Sequence, residues 1–347
     1  MIGTGEGELQ MKEKGPLTTC IRQVLGGVSD AQLNKVKQYM KQFTAHSFAD
    51  TATGAVLQDA VSSQGKMIRP RLVIMAGSFG KRYAEAEERL YKAAALIEMT
   101  HSASLIHDDI VDEAPLRRGK PSVQRRYGKS AAVYAGDFLM SRITYHLMQE
   151  GLMQSGMVLA KAVEAMCAGE ITQALCRYRA DVTLAEYLQN IYGKTVALFR
   201  AACRMGALES GCDESLIRRL ENVGEALGYM FQMRDDLLDF LPVTEQIGKA
   251  SHQDFREGIY TMPVLYACET PQGRKMLRPY MERSVQGCLT GQDIAEMERQ
   301  VAALGGMERT WQAIREQQKK AERILADLPS HSASPQLLKL VRKLGCL

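Results

Sequence analysis

The chain has 347 residues, a net charge of +4, 46% hydrophobic and 24% charged residues, a balance that suits one large or two smaller globular domains. The charge is too small and too evenly spread to argue for nucleic acid, and a lone Trp with no basic run interleaved with aromatics offers no stacking platform for bases. Eight cysteines without a C-x-x-C pair or framework spacing read as reduced thiols, and no segment reads as a membrane span or anchor, so a cytoplasmic protein is expected.

In chain order, residues 1–15 mix glycines with charges and have neither the apolar core of a secretory signal nor the Arg/Ser character of a transit peptide. They read as a flexible start to one all-helical domain over 16–347. Gly65-Lys66-Met67-Ile68-Arg69-Pro70 places Lys66 and Arg69 three apart, on one face if the segment is helical. Ala84 to Ile110 and Ser130 to Met153 are long, proline-free and rich in Ala, Leu and Met, which predicts helices. Alternating β-branched runs are scarce, so the fold class is all-α. Pro70, Pro115, Pro242 and Pro263 fall where helices should begin or end, and 329–335 reads as a short loop before a last helix.

Two acid clusters of the same shape interrupt the apolar helices: Asp108-Asp109-Ile110-Val111-Asp112, and Asp235-Asp236-Leu237-Leu238-Asp239. Paired acids on a helix usually face solvent, but these two copies lie in apolar segments, each followed by a proline. Ionised carboxylates in apolar surroundings cost several kcal/mol each unless a cation or hydrogen bonds offset the loss of water. Placement near helix C-termini adds roughly 0.3 to 1 kcal/mol of unfavourable dipole interaction at exposed sites. Both costs point to a bound cation. All the donors are oxygens, which suits Mg²⁺ better than zinc, and Mg²⁺ held this sparsely shares its coordination with substrate phosphates. The first cluster runs on into Arg117-Arg118-Gly119-Lys120, a basic loop able to clamp a diphosphate beside the same metal. His101, taken singly, reads as a satisfied core histidine.

These segments, with GKMIRP at 65–70, GDFLM at 136–140, Gly169, Glu170 and Gln173, GKTVALF at 193–199 and the late Gly248, Lys249, Asp254, Glu257, Gly258, Thr261 and Pro263, occur in one order along nearly the whole chain. The sequence thereby resembles the trans-isoprenyl diphosphate synthases, the head-to-tail polyprenyl synthetases. The resemblance implies a bundle of long antiparallel helices around a deep central cavity, usually in a homodimer, with the two motifs facing across the mouth. It implies Asp108, Asp112 and Asp235 as principal Mg²⁺ ligands, with Asp109, Asp236 and Asp239 completing or supporting a shell of about three ions. Arg117, Lys194, Thr195, Gln232 and Lys249 would hold an allylic diphosphate. Lys66, Arg69, His101 and Arg118 would bind isopentenyl diphosphate. Where the family pattern has a second lysine after Glu257-Gly258, this chain has Ile259.

The chemistry follows from the substrates. Metals and fixed cations stabilise charge on a departing diphosphate and so promote ionisation of the allylic substrate. The double bond of a positioned isopentenyl diphosphate then attacks the cation, and the released diphosphate takes a proton. Water must be kept out, or the cation is quenched.

Product length is read from the first motif's helix. Ser104 lies four residues before Asp108 with Ala103 beside it, roughly 6 to 8 Å deeper, and Thr100 and Ile97 lie roughly 12 and 16 Å below the carboxylates. Small residues at 103 and 104 leave the cavity open, which favours a product of about C30 or longer at this helical rise. Geranylgeranyl or farnesyl diphosphate follows instead if other helices close the tunnel early. Two further readings stay open: a catalytic subunit that needs a small helical partner, and a terpene cyclase. The intact second DDxxD, Lys66, Arg69 and Arg118 argue against the cyclase.

Overall fold

A computed structural model of the chain describes residues 27–44, 51–62, 65–240, 252–329 and 331–346. The reading of residues 1–15, Pro242 and Lys249 fall outside these. The described residues are helical almost throughout. In order they form α1 (Asp30–Thr44), α2 (Ala52–Ser62), α3 (Ile68–Gly77), α4 (Tyr83–Val111), α5 (Val123–Tyr127), α6 (Lys129–Gln149), α7 (Met153–Cys176) and α8 (Leu184–Ile191). A π-helical turn (Tyr192–Val196) then leads into α9 (Ala197–Glu209), followed by α10 (Glu214–Leu238), α11 (Gln253–Arg256), α12 (Met262–Ala267), α13 (Pro271–Val285), α14 (Gly291–Ala303), α15 (Gly306–Ala326) and α16 (Ser334–Leu344). The two-residue strands β1 (Leu116–Arg117) and β2 (Lys120–Pro121) pair antiparallel around Arg118-Gly119.

Helix boundaries follow local chemistry. Asp213 caps α10 by accepting from the Leu216 N–H at 3.0 Å, and Thr183 with Glu186 forms a capping box on α8. Gly151, at φ +64°, breaks the long apolar stretch between α6 and α7. Pro263 occupies the first turn of α12, as its position predicts. The short links between α6 and α7 and between α9 and α10 make each pair antiparallel neighbours.

α9 is the central helix, packed against α3, α4, α7 and α10. Its approach to α3 depends on Gly206, where an added Cβ would stand 2.0 Å from the Val73 carbonyl oxygen. Gly224 and Gly228 serve the α10 approach in the same way, facing the Phe199 carbonyl oxygen at 2.7 Å and Val196 Cα at 2.8 Å. One apolar cluster runs from Val28 to Leu344 through this centre, and Met230 and Met233 are buried in it. Among the described residues no helix is long and apolar enough to cross a membrane.

Candidate active site

The first aspartate cluster ends α4 and the second ends α10, as the prolines predict: Asp112 is the C-cap residue of α4 and Asp239 that of α10. Within each cluster the helical period separates the acids by environment. Asp108 and Asp112 lie four apart on one face, Asp108 half-buried and Asp112 exposed, while Asp109 turns inward and is buried. In the same way Asp235 is exposed and Asp236 is buried.

The buried acids are held by protein groups. Arg117 donates through Nε to Asp109 Oδ1 at 2.8 Å and through Nη2 to the same oxygen. Asp236 accepts from the Tyr187 hydroxyl and from Gln232 Nε2 at 2.9 Å. Gln232 Oε1 in turn accepts from Thr195 Oγ1 at 2.6 Å. Thr195 is buried, so its hydroxyl serves this relay. Asp239 accepts from the backbone N–H of His252 at 3.1 Å.

Lys194, from the π-helical turn, interacts with Asp108 and Asp112 of the first cluster and lines a cavity with Asp235 and Asp236 of the second. Its ammonium stands 3.6 Å from Glu170 on α7. Burial alone would lower its pKa, but Glu170, Asp108, Asp254 and Asp112 reverse that and raise it. A π-turn shifts side-chain register by one residue and is frequent at functional sites. The acids around Lys194 carry the opposite strain. Asp108 is pushed up to about 7 by burial first and then by Glu170, with Lys194 opposing. Asp254 is pushed up to about 7 by burial and then by Asp236 and Asp239. Asp236 rises to about 6, again chiefly through burial. A cavity of about 190 Å³ beside α10 is lined by Lys194, Gln232, Asp235, Asp236, Asp254, Arg177 and Ile259, among others.

Crowded, half-desolvated oxygen donors of like charge fit a hard divalent cation. Among the described residues no three acidic, His or Cys side chains are gathered tightly enough to cage one unaided.

A cationic group gathers around His101 and Glu98, about two and three helical turns below Asp108 on α4. Arg69 and Arg118 both interact electrostatically with Glu98, a buried residue of α4. Burial lowers Arg69 to about 10, with Glu98 opposing. Its guanidinium lies over the Phe199 ring at 5.0 Å. His101 is held well below its ordinary value by burial and then by Arg69, Arg118 and Arg117, so it is neutral at pH 7. Arg118 adopts a left-handed backbone, φ +54°, and a Cβ on Gly65 would stand 2.5 Å from its Nη2, so that glycine makes room for the guanidinium. Lys66 and Arg69 do not share a helix face. Met67 is left-handed, φ 53°, and α3 begins only at Ile68, so Lys66 precedes the helix that carries Arg69.

Ala103 and Thr100 are fully buried on α4, and Thr100 Oγ1 donates to the Leu96 carbonyl at 2.9 Å. Ser104 is half-buried and donates to the His101 carbonyl at 3.0 Å.

Glu98 and Tyr187 stand outside every motif of the sequence, and Glu170 and Asp254 appear there only as motif letters. An isolated acid in an apolar helix, as at Glu98, is the signal that could have found the first. Tyr187 is 49 residues from Asp236 and has none.

The sequence profile described as polyprenyl synthetase matches residues 50–297. The chain belongs to the polyprenyl synthetase family. It is 35% identical over 284 residues to a heptaprenyl diphosphate synthase component 2 of Geobacillus stearothermophilus, covering 81% of this chain and 85% of that one. Its fold matches a decaprenyl diphosphate synthase from Rhodobacter capsulatus with a TM-score of 0.83 and 28% identity, covering 93% and 98% of the two chains. A polyprenyl synthase from Caulobacter crescentus, complexed with calcium and isoprenyl diphosphate, matches with a TM-score of 0.82 and 28% identity, covering 93% and 97%. The chain is thus similar to prenyltransferases of the long-chain type.

Proposed function

We propose that this polyprenyl synthetase condenses isopentenyl diphosphate head-to-tail with an allylic diphosphate, in the presence of Mg²⁺, to make a long all-trans polyprenyl diphosphate. The observation that carries the reading is the cavity that Lys194 lines with Asp235, Asp236 and Asp254, its ammonium 3.6 Å from Glu170 and interacting electrostatically with Asp108 and Asp112 of the first cluster. The calcium and isoprenyl diphosphate of the Caulobacter relative support a divalent ion in such a site.

In this reading Asp108, Asp112 and Asp235 are the metal ligands. Bound there, the ions stabilise negative charge on the departing diphosphate. Asp109 and Asp236 act from behind, Asp109 by aiming Arg117 and Asp236 through the Thr195–Gln232 relay and Tyr187. Lys194 meets the diphosphate oxygens directly, with Lys249 assigned to the same task by resemblance. Lys66, Arg69, Arg118 and neutral His101 bind the second diphosphate, and buried Glu98, its carboxyl pushed up by burial, interacts with both guanidiniums. The two anionic groups are thereby held apart with their reacting carbons between them. The growing chain extends along α4 past Ser104, Ala103 and Thr100, whose small side chains permit length.

Exposed apolar residues mark a docking face on α6 and α7: Tyr134, Tyr145, Met148, Met153, Met157, Ile171 and Leu175. The four on α7 repeat at intervals of 4 and 18, hence on one side of the helix. A second copy of the chain is the proposed occupant. A small second subunit is the alternative, favoured by the Geobacillus relative's name as component 2.

Diphosphate release from farnesyl diphosphate tests the reaction class. The reading predicts release only when Mg²⁺ and isopentenyl diphosphate are both present. Release without isopentenyl diphosphate would favour a cyclase.

A further inference from the structure

The cavity of about 190 Å³ beside the second aspartate cluster is lined by Lys194 and also by Arg177, an arginine that no step above uses. Arg177 caps the C-terminus of α7 and is partly exposed. Its Nη2 donates to Glu257 Oε2 at 2.7 Å. A guanidinium carries five N–H donors in a rigid plane, so anchoring one edge fixes where the rest point.

The anchor is itself locked. The Tyr178 N–H donates to the Gly258 carbonyl at 2.8 Å. Tyr178 is left-handed at φ 62°, a conformation that costs a non-glycine residue on the order of 1 kcal/mol and persists only where its surroundings impose it. Gly258 is left-handed too, at φ +73°, and a Cβ there would stand 2.2 Å from Tyr178 Cδ1. The loop after α7 and the loop after α11 are therefore tied by a backbone hydrogen bond, an ion pair and a ring packed on a glycine. This tied unit lines the cavity with Arg177 from one loop and with Ile259, Tyr260 and Thr261 from the other, and Arg177 is the one cation among them. Ile259 is uncharged, and a diphosphate there needs cationic donors in addition to Lys194.

We infer that Arg177 is a binding residue for the leaving diphosphate, with Glu257 and the Tyr178–Gly258 contact aiming its guanidinium and with Ile259 leaving that task to it. A carboxylate on one edge leaves the remaining donors of the fork for two phosphate oxygens. The inference rests on the prenyl-transfer reading and adds a contact to it.

The test titrates Mg²⁺ with inorganic diphosphate into the full-length protein by calorimetry, beside the KM values for farnesyl and isopentenyl diphosphate. Arg177→Gln is expected to weaken diphosphate binding roughly 10-fold, the scale of one charged hydrogen bond. The KM for farnesyl diphosphate should rise in parallel while that for isopentenyl diphosphate holds. Adding Ile259→Lys to Arg177→Gln should restore most of the loss, and Arg177→Lys, which keeps the charge without the fork, should lie between. Equal diphosphate affinity in wild type and Arg177→Gln overturns the inference, as does an equal rise in both KM values. If Arg177→Gln does not fold, Arg177→Lys decides, with wild-type affinity counting against. Wild-type protein that binds no diphosphate with Mg²⁺ sinks the prenyl-transfer reading itself.

Discussion

Replacing Asp108 with asparagine should make the metal-free protein more stable while removing its function. Asp108 rises from 3.8 to about 7 through burial and the neighbouring Glu170. A group whose folded pKa is raised destabilises the fold once pH exceeds its unfolded value, and the penalty grows until pH passes the folded value. For Asp108 it therefore develops between pH 3.8 and about 7. At 1.36 kcal/mol per unit the ceiling is about 4 kcal/mol, and solvent screening at a half-buried site reduces this to about 2 kcal/mol. Asparagine keeps the shape and carries no charge, so Asp108→Asn should gain about that much at pH 7.5 in EDTA, and nearly nothing at pH 4. With Mg²⁺ and inorganic diphosphate the order should reverse. A ligand at 100 times its Kd stabilises wild type by about 2.7 kcal/mol, and the variant should gain far less. Urea unfolding in both buffers reads this directly. An Asp108→Asn protein less stable than wild type in EDTA, or equally stabilised by Mg²⁺ and diphosphate, would refute the reasoning.

Ala103→Phe should shorten the product without abolishing turnover, because a ring would fill a fully buried position on α4; an unchanged product distribution would place the floor of the tunnel elsewhere. Tyr187→Phe removes one of the two side-chain donors to buried Asp236, and the Mg²⁺ concentration for half-maximal activity should rise about 10-fold with little change in melting. Unchanged Mg²⁺ dependence would remove Asp236 from the metal site. Gly206→Ala puts a Cβ 2.0 Å from the Val73 carbonyl oxygen. The crowding should outweigh the helix-propensity gain of about 1 kcal/mol and cost about 2 kcal/mol net in urea unfolding. Neutral stability would mean that α3 and α9 can part freely.

The helical fold and both acid clusters are legible in the sequence because their signals are local. Period, proline placement and the i, i+4 spacing of Asp108 and Asp112 need no tertiary information. The separate roles of Asp109 and Asp236 are half-legible, since the same period turns them off the outer face. Three features are not. Met67 has no sequence mark for a left-handed backbone, so Lys66 and Arg69 read as helical neighbours when they are not. The π-turn that carries Lys194 arises from how α7 and α10 pack on it, with Gly193 facing the Ala165 carbonyl oxygen at 2.3 Å from an added Cβ. The pairing of Arg177 with Glu257 spans 80 residues and depends on two loops meeting.

The most direct test of elongation is to incubate the purified chain with Mg²⁺, farnesyl diphosphate and labelled isopentenyl diphosphate, then size the extracted products after dephosphorylation. The account predicts an all-trans ladder ending at about C30 or beyond, as expected from the small side chains at Ala103 and Ser104. A well-folded protein that incorporates no label, alone or with a small partner subunit, would contradict it.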